Sequence, residues 1–184
     1  MSAQTPPSPK DVIDFWIEAG PDKWFAKNDS FDADFKARYL ESHYAAARRE
    51  LDPWMETPDG ALALIILLDQ LPRNAFRDTA HMFATDALAL HFTREAISKG
   101  YHLAVDEPLR PFILMPLMHS ESLQDQNDLI DLLDEASQAN TYKFAVIHRD
   151  IIEKFGRFPH RNASLGRDTT ADEMSYLKSG GFSG

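Results

Sequence analysis

The densest group of side chains that could do chemistry lies between residues 141 and 167. This stretch has six Lys and Arg residues against two acidic residues, a local charge of +4, and it also contains His148 and His160. Residues 120–139 carry six acidic residues and no base, a local charge of −6. Two interpretations remain open. Either the acidic segment neutralises the basic one, or some Arg and His side chains bind an anion, because a guanidinium group matches carboxylate and phosphate geometry.

A short loop inside that stretch favours anion binding. Pro159 restricts the backbone, so His160 and the two residues after it are displayed from a stiff turn, as in many binding loops. The alternative is that these side chains hold the loop to helix ends by bonding exposed carbonyl groups. The predicted anion-binding residues of this region are Arg157, Arg161, Asn162 and Arg167.

A second polar group follows the apolar run of residues 61–68. Asp69 and Gln70 come directly after this run, so we expect their side chains to be partly buried. A buried carboxylate needs a cation or several hydrogen-bond donors. Arg73 lies four residues further on and can supply the cation unless Pro72 turns it away. A structural ion pair is therefore favoured over a catalytic acid, with Asn74 as a further polar residue of this turn.

A third polar group, His119 to Glu121, follows another apolar run. No Gly-x-Ser-x-Gly motif is present, so Ser120 does not indicate a serine hydrolase. His148 lies on the apolar side of its helix, which is typical of a hydrogen-bonded core histidine. The alternative is that His119, His148 and His160 meet in space, with Glu121 or Asp69, as a metal site or an acid–base group. No metal-binding spacing is found, so neither a metal nor a cofactor is predicted.

Composition excludes several classes of protein. The 184-residue chain has no Cys, which removes disulfide frameworks, thiolate metal sites and Cys nucleophiles. Its net charge of −10 disfavours partners such as nucleic acid and anionic membranes. The longest apolar run is less than half of the ~20 residues that a transmembrane helix needs, and the first ten residues have no apolar core. We therefore expect a soluble cytoplasmic protein.

The hydrophobic pattern is helical almost everywhere, and no segment alternates with period two, so an all-α fold of seven or eight helices is predicted. We expect a single domain over residues 10–178 between flexible tails at 1–9 and 179–184. Helices are predicted over residues 10–19, from Asp29 or Ser30 to about 51, from Thr57, from Thr79 to 99, 123–139, 141–155, and from Thr170.

Several motifs together resemble one family. They are Asp14-Phe-Trp-Ile17 with Trp24-Phe25, Leu67-Leu-Asp-Gln-Leu-Pro-Arg-Asn74, Met115-Pro-Leu-Met-His-Ser-Glu121 with Asp125-Gln126, and Phe155-Gly-Arg-Phe-Pro-His-Arg-Asn162 with Leu165-Gly-Arg167. Over about residues 12–177 the chain resembles the bacterial family catalogued as domain of unknown function 924. The resemblance implies an antiparallel helical array, an α/α superhelix similar to tetratricopeptide-repeat proteins, and no assigned activity. The chain lacks the ~34-residue repeat of that class, so the similarity would lie in helix packing.

Two functions follow as hypotheses. The first is a small-ligand-binding protein or enzyme with an Arg/His/Asn pocket for an anionic ligand. Its catalytic candidates are His119, His160 and Glu121, and its binding candidates are Asp69, Gln70, Arg73, Asn74, Gln126, His148, Arg157, Arg161, Asn162 and Arg167. The second is a protein-interaction scaffold without catalysis, whose Arg, His and Asn residues are structural. A ligand site requires these side chains around one concavity, whereas a scaffold pairs each of them internally.

Overall fold

The computed structural model describes residues 7–183, and every regular element within that range is helical, without β-strands. The all-α prediction is confirmed. In chain order the α-helices are α1 (Pro9–Ala19), α2 (Pro21–Trp24), α3 (Asp29–Ala47), α4 (Pro58–Ile65), α5 (Leu71–Ala75), α6 (Asp86–Ser98), α7 (Tyr101–Ala104), α8 (Arg110–Met118), α9 (Leu123–Leu132), α10 (Ala139–Phe155) and α11 (Ala171–Lys178). Short 3-10 turns lie at Asp52–Glu56, Ala80–Phe83 and Pro159–Arg161.

The helices form two compact units. The first unit contains the described residues up to Arg77 together with His81–Pro116. The second contains Asp78–Ala80 and residues 117–183, so the boundary falls within α8. The single domain over residues 10–178 stays a prediction. Residues 1–6 and 184 of the predicted tails lie outside the described residues.

The core of the first unit is built around α4 and its continuation into α5. The apolar run 61–68 predicts a helix that is buried on most sides, and every residue from Gly60 to Pro72 is in fact buried. Helices α1 and α6 pack against α4, and α3 packs against α5. A cluster of aromatic rings from α1, α3 and α8 extends this core; it includes Phe15, Trp16, Phe31, Phe35, Tyr39 and Phe112.

Local capping chemistry explains several helix ends. The Thr57 hydroxyl accepts the Gly60 N–H (3.1 Å) at the start of α4, and Thr170 forms a capping box with Glu173 at the start of α11. Gly156 ends α10 in the left-handed region (φ 68°), where glycine carries no steric penalty. The starts predicted at Thr57 and Thr170 are confirmed.

Three predicted helix boundaries are wrong. The helix predicted from Asp29 or Ser30 to about 51 begins at Asp29 but ends at Ala47, and its cap is Asn28, whose side-chain oxygen accepts the Phe31 N–H (3.0 Å). The helix expected to begin at Thr79 begins at Asp86, because a 3-10 turn occupies Ala80–Phe83. The helix expected to continue to residue 139 ends at Leu132, since the Asp134 carboxylate accepts the Ala136 N–H (3.1 Å) and stabilises a turn instead.

A π-turn at Ile66–Gln70 joins α4 to α5 and changes the hydrogen bonds of the buried helix. The Leu71 N–H donates to Ile66 O, one residue further back than in an α-helix, so it does not reach Leu67 O. The next residue, Pro72, has no N–H to offer Leu68 O. Side chains replace both donors. His43 Nδ1 donates to Leu67 O (2.9 Å), and the Thr85 hydroxyl donates to Leu68 O (2.5 Å).

We expect Thr85→Val to lower the free energy of unfolding by about 1–2 kcal/mol, because it leaves the buried Leu68 carbonyl without that donor. For a chain of this size the melting temperature should fall by roughly 2–8 °C in a circular-dichroism melt. The matched control is Thr93→Val in α6. The Thr93 hydroxyl is also buried but has no hydrogen-bond partner among the described residues. Equal losses in the two variants would show that the Thr85 hydroxyl does not act through Leu68.

Candidate functional site

In the first unit, the predicted group around Asp69 is an ion-paired cluster. Asp69 is fully buried, and its carboxylate lies 3.1 Å from Arg73 Nη1 and accepts from Gln70 Nε2 (2.5 Å). Arg73 also binds Asp86 with two parallel hydrogen bonds of 2.8 and 3.0 Å. Burial acts to lower the pKa of Arg73, but the charges of Asp69 and Asp86 outweigh it and raise that pKa. The predicted pairing of Asp69 with Arg73 is confirmed, and Pro72 does not prevent it.

Asn74 binds a different carboxylate, that of Asp32. Its Nδ2 donates to Asp32 Oδ1 (2.7 Å), and Arg77 donates to the same carboxylate from Nε (2.6 Å) and Nη2 (3.1 Å). These contacts tie the end of α5 to the first turn of α3. Four predicted ligand-binding residues, Asp69, Gln70, Arg73 and Asn74, therefore hold the first unit together through their own contacts.

In the second unit, two of the loop arginines bind carboxylates. Arg157 donates to both oxygens of Glu173 (2.6 and 2.9 Å) and to Asp168 O (2.8 Å). Arg167 donates to both oxygens of Glu121 (2.9 and 2.8 Å). Parallel pairs of this kind fix orientation as well as charge. Arg157 and Arg167 thus hold the loop between α10 and α11.

Glu173 is the centre of that arrangement. Its carboxylate also accepts the Thr170 N–H (2.7 Å) and Asn162 Nδ2 (3.2 Å), and its side chain is 3% exposed. The hydrogen bond from Arg157, with those from Thr170, lowers the pKa of Glu173 to about 2 although burial opposes the shift. Glu173 is therefore a carboxylate at all ordinary pH values. The capping-box pattern identifies its contact with Thr170, but no sequence signal identifies its contact with Arg157.

Glu121, a predicted catalytic residue, is also committed to the loop. Besides Arg167, its carboxylate accepts the Phe158 N–H (2.9 Å). Burial acts to raise the pKa of Glu121, but the hydrogen bonds from Arg167 and Phe158 outweigh it, together with the charges of Arg167 and Arg161, and the pKa is lowered. An ionised, bonded carboxylate does not supply a proton at neutral pH.

Gln126 closes the end of α8. Its Nε2 lies 3.3, 2.8 and 2.7 Å from the carbonyl oxygens of Leu117, Met118 and Ser120, so the amide is oriented with its nitrogen toward them. Helix-end carbonyls need such donors because they have no partner within the helix. Gln126 Oε1 is buried and has no hydrogen-bond partner among the described residues.

The three predicted histidines gather around one part of the second unit. The rings of His148 and His160 both contact the Phe158 ring, whose centroid lies 5.5 Å from that of His148 and 5.6 Å from that of His160. Arg161 Nη2 donates to the carbonyl oxygen of His119 (3.0 Å), and its guanidinium lies 4.5 Å from the Phe158 ring. His148 Nδ1 carries the proton, because it lies 2.8 Å from Phe144 O, which can only accept.

His160 is the distinctive member of this group. Its Nδ1 is buried and has no hydrogen-bond partner among the described residues. Burial and the charge of Arg161, with smaller effects of His148 and His119, lower the pKa of His160 to about 4. At neutral pH the imidazole is therefore uncharged and offers a donor or an acceptor at Nδ1, depending on its tautomer.

The structure thus divides the predicted site residues between the two units. The Asp69 cluster lies in the first, and His119, Glu121, Gln126, His148, Arg157, His160, Arg161, Asn162 and Arg167 lie in the second. Within residues 7–183, no three His, Asp or Glu side chains are grouped so that they could hold a metal ion. Among those same residues, none of the helices has the length and apolar composition that a bilayer span requires.

Sequence reasoning missed Phe182, whose ring contacts both His148 and His160.

These features define an all-helical protein with a loop held by Arg–Glu pairs beside a histidine group. A family model described as bacterial protein of unknown function (DUF924) matches residues 12–181, and the chain belongs to that family. It is similar to the solved structure of a protein of unknown function, ATU0120, from Agrobacterium tumefaciens. The two are 50% identical with a TM-score of 0.90, and the match covers 93% of this chain and 97% of the other. No curated protein matches the chain.

Proposed function

We propose that this protein binds a small anionic ligand in the second unit, at a site formed by His148, His160 and Arg161. The observation that carries the proposal is the buried Nδ1 of His160, which has no partner among the described residues. A buried polar atom lowers the stability of the folded protein unless it forms a hydrogen bond. Arg157 and Arg167 of the same loop are paired with Glu173 and Glu121, whereas this ring nitrogen has no such bond.

The surrounding charges favour an anion. Burial is the largest cause of the lowered pKa of His160, and the charge of Arg161 is the next; Glu121, which is paired with Arg167, acts in the opposite direction. A carboxylate or phosphate oxygen that accepts the Nδ1–H of His160 would be attracted by the Arg161 charge in a poorly hydrated setting, where charge-assisted hydrogen bonds are strong.

Binding is favoured over catalysis. A His160 with a pKa of about 4 is a weak base at neutral pH, and Glu121 is an ionised carboxylate with bonded oxygens. Efficient general acid–base groups have pKa values near the working pH. Catalysis by His119, His160 and Glu121 is therefore the less favoured version of the proposal, and ligand binding without catalysis is the favoured one. The acidic, Cys-free composition suits a cytoplasmic protein.

Inorganic phosphate tests the proposal through the melting temperature. At constant ionic strength, phosphate at about 100 times its dissociation constant should stabilise the wild type by ~2.7 kcal/mol, or roughly 5–10 °C. Arg161→Ala should lose most of this increment, because it removes the charge that attracts the anion. His160→Ala removes Nδ1 without changing charge at neutral pH, and it should lose the increment too.

Arg149→Ala is the matched control, because Arg149 is a cation of α10 that pairs with the adjacent Asp150 (2.5 Å). It should keep the phosphate increment. Phosphate also stabilises proteins generally, so the informative quantity is the difference between variants. Equal increments in the wild type, Arg161→Ala and His160→Ala would refute the proposed site.

A protein-interaction scaffold is the second candidate, and exposed apolar side chains in the first unit favour it. Phe25 and Leu103 are 67% and 69% exposed, and Ile17 is 54% exposed. Such side chains are common at protein interfaces, and a tetratricopeptide-like array would suit this role. In this alternative Arg161 is purely structural. Arg161→Ala would then melt lower in every salt and retain the phosphate increment.

A further inference from the structure

The segment that follows α11 places an aromatic ring on the histidine group. The Phe182 ring lies 4.6 Å from the ring of His148 and 5.5 Å from that of His160, both at steep, edge-on angles. Gly180 adopts a positive φ of 86°, which turns the chain back toward α11. The contact is thus made by a short, bent segment and not by a helix.

The segment is held by two hydrogen bonds to Tyr176 and by the packing of Phe182 against the apolar cluster of Ile151, Ile152 and Phe158. The Gly181 N–H donates to Tyr176 O (3.0 Å), and the Phe182 N–H donates to the Tyr176 hydroxyl (2.9 Å). The Phe182 side chain is only partly buried, and Ser183 is exposed. Displacing Phe182 would therefore cost little compared with displacing Phe158, which is fully buried.

We call the space that the Phe182 ring occupies beside His148 and His160 the aromatic slot. Both imidazole rings contact the rings of Phe158 and Phe182, and the Arg161 guanidinium lies over the Phe158 ring. A planar ring in that position makes edge-to-face contacts with His148 and His160, which aromatic pairs prefer. The slot therefore combines a place for a ring with a neutral imidazole and a guanidinium group.

We propose that Phe182 is an intramolecular occupant of this slot, and that the ligand is a small aromatic carboxylate whose ring displaces that of Phe182. The carboxylate would accept from His160 Nδ1 and face the charge of Arg161. This inference rests on the proposed function, because it names the ligand class of the same site. It also makes segment 180–183 a competitor, since a ligand binds only the fraction of molecules in which the slot is open.

Benzoate is the probe, with acetate as the same carboxylate without a ring, and affinity is measured by isothermal titration calorimetry. Phe182→Ala should bind benzoate about 10 to 100 times more tightly than the wild type, the range expected if the slot is open in roughly 10% to 1% of molecules. Acetate should gain less than benzoate does. Met174→Ala, which removes an exposed apolar side chain of α11, should leave benzoate affinity unchanged.

Two further variants open the slot without removing the Phe182 ring. A Cβ at Gly181 would lie 2.5 Å from the Tyr176 ring, so Gly181→Ala must shift either the segment or the Tyr176 side chain that holds it. Tyr176→Phe removes the hydroxyl that accepts the Phe182 N–H. Both should raise benzoate affinity. Adding His160→Ala to Phe182→Ala should abolish the gain, because it removes the carboxylate's donor.

The outcomes separate this inference from the proposed function. Tighter, His160-dependent benzoate binding in Phe182→Ala supports both. Phosphate binding that needs Arg161, with benzoate affinity unaffected by Phe182→Ala, overturns the aromatic slot and leaves the anion site. A benzoate gain that survives His160→Ala overturns the inference as well, because His160 Nδ1 is then not the donor to the carboxylate. No binding of either probe to any variant overturns both.

Discussion

Leu67→Asp is expected to leave no folded protein. Leu67 is fully buried in the π-turn between α4 and α5, and its neighbours on both sides along the chain are fully buried as well. An unpaired carboxylate at that position costs several kcal/mol, a large part of the ~5–15 kcal/mol by which a domain is stable. Circular dichroism of the soluble fraction should show no cooperative melt.

Leu67→Met is the matched control for this variant. It preserves volume and polarity, so it should cost less than about 1.5 kcal/mol and retain a cooperative transition. If Leu67→Asp instead melts cooperatively within a few degrees of the wild type, the buried helix is not the core that we describe.

Glu173→Gln should produce the second-largest loss of stability. The change removes the charge that pairs with Arg157, and an amide cannot accept all the bonds that the carboxylate accepts. Breaking a buried pair by removing one partner costs about 3–5 kcal/mol, and because Arg157 is 29% exposed we expect ~2 kcal/mol. The melting temperature at pH 7 should fall by roughly 4–8 °C.

The loss should depend on pH in a defined direction. The pKa of Glu173 is lowered from an ordinary 4.5 to about 2 in the folded protein. Its stabilisation is therefore fully present above pH 4.5 and is lost as pH falls toward 2, because the unfolded chain takes up the proton first. The difference between wild type and Glu173→Gln should shrink over that interval. A difference that is constant from pH 7 to pH 3 would contradict the role of the charge.

Asp172→Asn controls for the general effect of removing an acidic residue near the N-terminus of α11. Asp172 is an exposed neighbour of Glu173 in the same helical turn. Its favourable interaction with the helix dipole is worth about 0.3–1 kcal/mol. A loss in Asp172→Asn as large as that in Glu173→Gln would assign the effect to the helix end and not to the Arg157 pair.

Much of the fold can be predicted from the sequence because its signals are local. Thr57 before Pro58 and the Thr170–Glu173 pattern identify helix starts, and the run 61–68 identifies the most buried helix. The π-turn could not be predicted, because nothing in the local pattern specifies it. The donors that replace the lost backbone bonds, His43 and Thr85, lie 24 and 17 residues from the carbonyls they serve.

The candidate site was predictable only in part, for the same reason. Residue types identify Arg157, His160 and Arg167 as unusual, but pairing over 16 and 46 residues decides that the two arginines bind Glu173 and Glu121. Conversely, the Phe182 segment has the composition of a flexible tail. Its contact with His160 depends on a bend at Gly180 and on the Tyr176 hydroxyl, which accepts the Phe182 N–H after that bend. The local sequence does not specify either feature.

Proton NMR of the His160 ring tests the proposed anion site most directly. The resonance is assigned by its loss in His160→Ala, and His91, an exposed histidine of α6, is the internal reference. We predict that His160 titrates near pH 4 in the free protein and that its resonance shifts when phosphate is added at pH 7 and constant ionic strength, while that of His91 does not. A His160 that titrates near the ordinary value of 6.5 and does not respond to phosphate would contradict the site.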